Sequence, residues 1–91
     1  MSYKNEIVQL HNEIVEKLNT ACAPLEQANA VPTDTVQIAM GSFHNACIKA
    51  KLFVALDVND FASAVELKAE LAATGDILLD AIAVQKQEMG L

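Results

Sequence analysis

Arginine and tryptophan are missing from this chain of 91 residues, and glycine (three), proline (two), cysteine (two) and aromatic residues (three Phe, one Tyr) are scarce. Without arginine there is no planar fork to hold a carboxylate or phosphate through two parallel hydrogen bonds. Without tryptophan, and with a 53 % hydrophobic content rich in alanine, the core must come from closely approaching helices rather than from large rings. So little glycine and proline beside so much alanine and leucine favours helix throughout. Strands are not expected, because no segment alternates apolar and polar residues. Glycine-, serine- or proline-rich linkers are also lacking, and a chain this short buries only roughly 60–65 % of its unfolded surface, so residues 1–91 are expected to form one domain.

Positive charge is scarce too. Six lysines face twelve carboxylates, for a net charge of −6. Nucleic-acid binding by phosphate neutralisation is therefore not expected, and neither is a site like that of the helical chorismate mutases, which depend on arginines. Cys22 and Cys47 have no CxxC spacing and read as reduced thiols in apolar settings. The opening, MSYKNEIVQLHNEIVEK, is amphipathic and acidic rather than a secretory signal, so a cytoplasmic location is expected. The most apolar stretch, Val36 to Leu56, is interrupted by His44, Asn45, Lys49 and Lys51. A charge at mid-bilayer depth costs about 3 kcal/mol, so this stretch reads as a soluble core helix and not a membrane span.

That stretch organises the chain. All twelve acidic residues lie outside it, whereas two lysines and one histidine lie inside. Before it, Ile7, Leu10, Ile14, Leu18 and Ala21 recur every three or four residues, and a second seam of Val8, His11, Val15 and Cys22 broadens the apolar face. Pro24 predicts an end or kink near Thr20 to Ala23, with a kinked or broken extension to about Ala28. Asp34 is the expected N-cap of the central helix, with Gln37 completing a capping box. Val36, Ala39/Met40, Phe43, Ala46/Cys47, Ala50 and Phe53/Val54 form its main stripe. Gly41, His44, Ile48, Leu52 and Ala55 form a second, largely apolar set, more than one neighbouring helix requires. After a turn at Asp57, Asn59 or Asp60 caps a last helix. Its stripe of Leu67, Leu71, Thr74, Leu78, Ile82, Gln85 and Met89 stays in register through Gly75, which favours one continuous helix over two.

No motif for chemistry emerges. Glu13 and Glu16 form an ExxE of the kind helical nucleotide pyrophosphohydrolases use to hold magnesium, but they lie on the water-facing side and no matched second pair follows. Neither histidine has metal-ligand spacing. His44 and Cys47 share a helical face without a visible orienting group. The region around Asp34 lacks the serine that acyl carrier proteins modify.

The expected fold is all-α: an antiparallel three-helix bundle, or four helices if Gly75 breaks the last, self-associating through its central or last helix into a homo-oligomer. The expected function is binding rather than catalysis, by a small acidic adaptor or inhibitor of another protein, of the kind phages and mobile elements encode. The first alternative is an oligomer that sequesters an anionic small molecule or nucleotide. The second is a nucleotide-handling enzyme using Glu13 and Glu16. No cofactor or metal is expected. The candidate binding or interface residues are His44, Ile48, Lys49, Lys51 and Leu52.

Overall fold

The computed structural model describes residues 3–91. They form three helices, α1 (Tyr3–Gln27), α2 (Asp34–Ala55) and α3 (Phe61–Met89), with no strand among the described residues. The start of α1 lies beside the start of α3, where Tyr3 and Phe61 stack at a tilt with ring centroids 6.0 Å apart and Glu6 faces Lys68 at 3.7 Å. Antiparallel to both, α2 sets Lys49 against Glu70 and leaves Thr33 beside Gln85. The bundle therefore runs up, down, up. At 1.5 Å per residue, the 29 residues of α3 span about 43 Å, which accounts for the long dimension of 45 Å beside cross-sections of 19 and 16 Å.

Gly75 does not break α3. It is buried in mid-helix, and a β-carbon there would sit 2.8 Å from Ile14 Cγ2 and 3.7 Å from Phe43 Cε1. α1 and α2 thus both reach the backbone of α3 at this level. The core continues on either side through Ile7, Leu18 and Leu25 of α1, Val36, Ala39, Ala46, Ala50 and Phe53 of α2, and Ala64, Leu67, Leu71, Leu78, Ala81 and Ile82 of α3.

α1 passes through Pro24 without ending and runs to Gln27, in line with the extension expected to about Ala28. Pro24 withholds an N–H from the Thr20 carbonyl, but Thr20 is exposed to water and Leu25, one residue on, is buried in the core. The actual stop is Asn29, whose φ of 52° puts it in the left-handed region, a conformation that Asn and Asp adopt more readily than most residues. Ala30 N–H then donates to Leu25 O at 2.9 Å and Asn29 N–H to Glu26 O at 3.1 Å, the paired bonds of a Schellman ending. α2 ends the same way. Asp57 has φ 51°, Val58 N–H donates to Phe53 O and Asp57 N–H to Val54 O. Gly90 repeats the device after α3.

The helix starts need one correction. Thr33, not Asp34, is the N-cap of α2, and its Oγ1 accepts the Val36 N–H at 3.3 Å. Thr33 is extended (ψ 163°) while Asp34 has already entered the helix. Asp34 is then an acid in the first turn, beside the positive helix end. Shifted by one residue, the Gln37 side chain donates to Pro32 O at 2.9 Å instead of closing a box. Asp60 caps α3 as expected, bonded to the Ser63 hydroxyl and N–H. The Ser63 hydroxyl and then its N–H hold the Asp60 carboxyl below its usual range. Lys4, by hydrogen bond and charge, does the same for Asp57.

Gln85 is the one buried polar residue among those described. Its Nε2 donates to Val31 O at 2.9 Å and its Oε1 accepts the Thr33 N–H at 3.1 Å, clamping the α1–α2 connection onto α3.

Two substitutions test this account. Alanine favours a helix over glycine by about 1 kcal/mol, but Ile14 Cγ2 is a stiff branch methyl and overpacking costs about 1–3 kcal/mol. Gly75→Ala is expected to lower stability by about 1 kcal/mol and Tm by about 5 °C; a rise in Tm would show that Ile14 yields. Gln85→Leu strips two hydrogen bonds from the connection and should cost about 1–3 kcal/mol in urea unfolding, with faster exchange of the Thr33 amide.

Candidate functional site

All five candidate residues lie on the exposed side of α2, but they do not form one patch. At about 100° per residue, Lys49 and Lys51 point to opposite flanks of the helix. Lys49 faces α3, and its Nζ donates to both oxygens of Glu70, at 2.9 and 3.2 Å. Lys51 faces α1 and borders a cavity of about 220 Å³ with Ile7, Val8, His11, Cys47 and Val54. His44 lies on the same flank as Lys51. The two lysines therefore do not converge within one chain, and Lys49 is already paired. Between the flanks, Ile48 and Leu52 are 43 % and 54 % exposed.

His44 borders a second, larger cavity of about 420 Å³, with Cys22, Leu25, Glu26, Pro32, Met40 and Cys47 among its walls. The two cavities share Cys47 and lie end to end along the side where α1 and α2 face each other. α3 packs closely on both helices, and α1 and α2 touch each other least. Small side chains explain the gap: Cys22, Cys47, Ala50 and Ala55 line it where larger residues would have filled it.

The sequence contained the signal for this groove, but it reads there as core. Three residues of the second seam of α1 form the groove wall, Val8, 42 % exposed, and the half-buried His11 and Cys22, while Val15 packs against the core. On α2, Met40 is 48 % exposed and Val54 half-buried, although periodicity assigns both to the main stripe. Stripe width alone does not tell a covered residue from one at the edge of an uncovered groove.

Compared with known protein families, curated proteins and solved structures, the chain matches none. Its chemistry must be read from its own groups.

Burial pushes the Cys47 thiol up from its ordinary value, with Lys51 offsetting part of the rise. Burial also raises the Cys22 thiol, Glu26 adds to that, and Lys86 opposes it. A raised thiol is mostly protonated at neutral pH and a poor nucleophile. Glu13 and Glu16 are exposed and share a shallow depression with Lys17, Thr20, Ala21 and Lys86, without a second carboxylate pair. Among the described residues no cluster of three or more His, Cys, Asp or Glu side chains is placed to hold a metal ion, and no helix is long and apolar enough to cross a membrane.

The thiols report on the groove. Alkylation of Cys47 is expected to rise with pH through a midpoint above that of a free cysteine, since only the thiolate reacts. Lys51→Ala removes the one group that lowers this value, so the Cys47 midpoint should move further up while that of Cys22 stays put. Mass spectrometry of labelled peptides reads both. Alkylation at the rate of a free cysteine would contradict the burial.

Proposed function

We propose that the protein works by binding a macromolecular partner, as a small cytoplasmic adaptor or inhibitor, and that the α1–α2 groove takes up the apolar face of an amphipathic helix from that partner. The observation that carries this reading is an apolar groove running along two helices, with few polar groups on it. The charges on its walls are Lys51, beside His11 toward the end of α2, and Glu26, near Pro32. Lys51 favours acidic residues or the negative C-terminal end of a docked helix, and Glu26 favours the opposite end. The groove therefore has a direction as well as an apolar floor.

We also propose that the chain self-associates. Ile38, Ile48 and Leu52 on α2 and Ile77 and Val84 on α3 are large apolar side chains that no helix of the chain covers.

One observation favours a second reading. The cavity of about 220 Å³ is walled by apolar groups and carries Lys51 and His11, a setting that suits a small amphiphilic anion. That reading rests on Lys51 alone, because Lys49 is held by Glu70.

A photo-crosslinking amino acid placed at Met40 tests the groove in cells that make the protein. The expected product is a crosslinked partner peptide with apolar residues at i, i+3, i+4 and i+7, lost when Val8→Glu is added. A crosslink that survives Val8→Glu, or a partner segment without that pattern, would overturn helix docking. Lys51→Ala separates the two readings: it abolishes binding of a small anion but weakens a docked helix only in part.

A further inference from the structure

α2 carries two seams with the same repeat. The inner one, Val36, Ala39, Phe43, Ala46, Ala50 and Phe53, advances by three and four residues alternately and is buried against α1 and α3. The outer one, Ile38, Gly41, Asn45, Ile48, Leu52 and Ala55, advances by the same alternating steps, and all six residues are exposed. The outer seam is offset from the inner by two residues, about 200° around the helix. Ile38, Ile48, Leu52 and Ala55 make the outer seam largely apolar, at the spacing by which one helix packs along another in a coiled coil. Among the described residues, no helix of this chain lies on the outer seam.

We infer that the outer seam of α2 is the contact between two copies of this chain, packed antiparallel about a twofold axis that passes between Asn45 and Ile48. This rests on the self-association proposed above and goes further by fixing the face and the direction.

Three observations select a second copy, run antiparallel. First, the large and small residues of the seam are self-complementary. Antiparallel pairing brings Leu52 against Gly41 of the other copy, Ile38 against Ala55, and Ile48 against Asn45. Parallel pairing would stack Gly41 on Gly41 and leave a hole. Second, Gly41 costs the helix about 1 kcal/mol relative to alanine, and nothing within the chain requires it: a β-carbon there would meet no atom within 4 Å. A notch for a partner's leucine gives that glycine a purpose. Third, the stretch from Thr35 to Leu56 is free of acidic residues in a chain of net charge −6. Two copies that meet here keep their carboxylates apart, whereas Ile77 and Val84 on α3 stand among Asp76, Asp80 and Glu88. The flanks also agree with this pairing. Lys49 comes beside Ser42 of the other copy and Lys51 beside His44, so neither lysine faces a lysine. Asn45, the polar residue in the seam, gives the register a cost for slipping.

Light scattering should give a mass of about twice the 9.8 kDa chain at micromolar concentration. Gly41→Leu fills the notch while favouring the helix, so it should weaken dimerisation at least tenfold without loss of helicity. Ile48→Glu should leave a monomer. For direction, Gly41→Cys and Leu52→Cys are made separately in a chain carrying Cys22→Ser and Cys47→Ser. Mixed and oxidised, the two proteins should form a disulfide-linked heterodimer, and neither should link to itself. A monomeric wild-type mass would overturn both this inference and the self-association. A dimer that survives Gly41→Leu and Ile48→Glu would overturn only this face, and self-linking of the single-cysteine proteins would overturn the antiparallel direction.

Discussion

The close contact of Ile14 with the backbone of α3 at Gly75 is the constraint on which the bundle depends. With no side chain at Gly75, α1 presses its Ile14 onto α3 while Phe43 of α2 arrives at the same level. The three helices are thereby in register at one height, and the core extends from there as layers of alanine, leucine and isoleucine. A glycine in mid-helix is unfavourable by propensity, and packing reverses that judgement here.

A bundle built this way is thin. Its radius of gyration of 14.5 Å exceeds the ~12 Å expected for a compact chain of this length, because long helices enclose little volume. Alanine at Ala39, Ala46, Ala50, Ala64 and Ala81 lets the helices approach but fills little space. Apolar surface is left over in two places. One is the groove where small residues keep α1 and α2 from meeting, and the other is the outer seam of α2. Both involve α2, whose single acid, Asp34, stands in its first turn. Acidic residues elsewhere on the chain disfavour casual association, so α2 is where close approach costs least.

The groove and the seam lie on different flanks of α2, and the division has a physical basis. Lys51 and His44 sit toward α1, whereas Lys49 is drawn by Glu70 to the α3 side. Between them run Ile48 and Leu52. A partner helix in the groove and a second copy on the seam would centre on different residues and meet only along one edge, at His44, Lys51 and Ala55.

Much of the fold was legible in the sequence, because a three- and four-residue apolar repeat reports directly on helical faces. The three helices, the continuity of α3 through Gly75 and the capping by Asp60 follow from register and local hydrogen bonding. What the repeat cannot report is which neighbour covers a face. Hence Met40 and Val54 read as part of the main stripe, although they line the groove, and Lys49 and Lys51 fall in one candidate set, although they stand on opposite flanks. Local signals misplaced one boundary, the start of α2, where Thr33 and not Asp34 is the cap and Gln85, more than fifty residues away in sequence, holds the Thr33 N–H. The end of α1 at Gln27 agrees with the extension expected to about Ala28. The sequence by itself determined the helices and the acid-free centre, since those rest on composition and short-range spacing. The tertiary structure decided the groove, the pairing of Lys49 and the uncovered seam, since those depend on how far apart three helices come to rest.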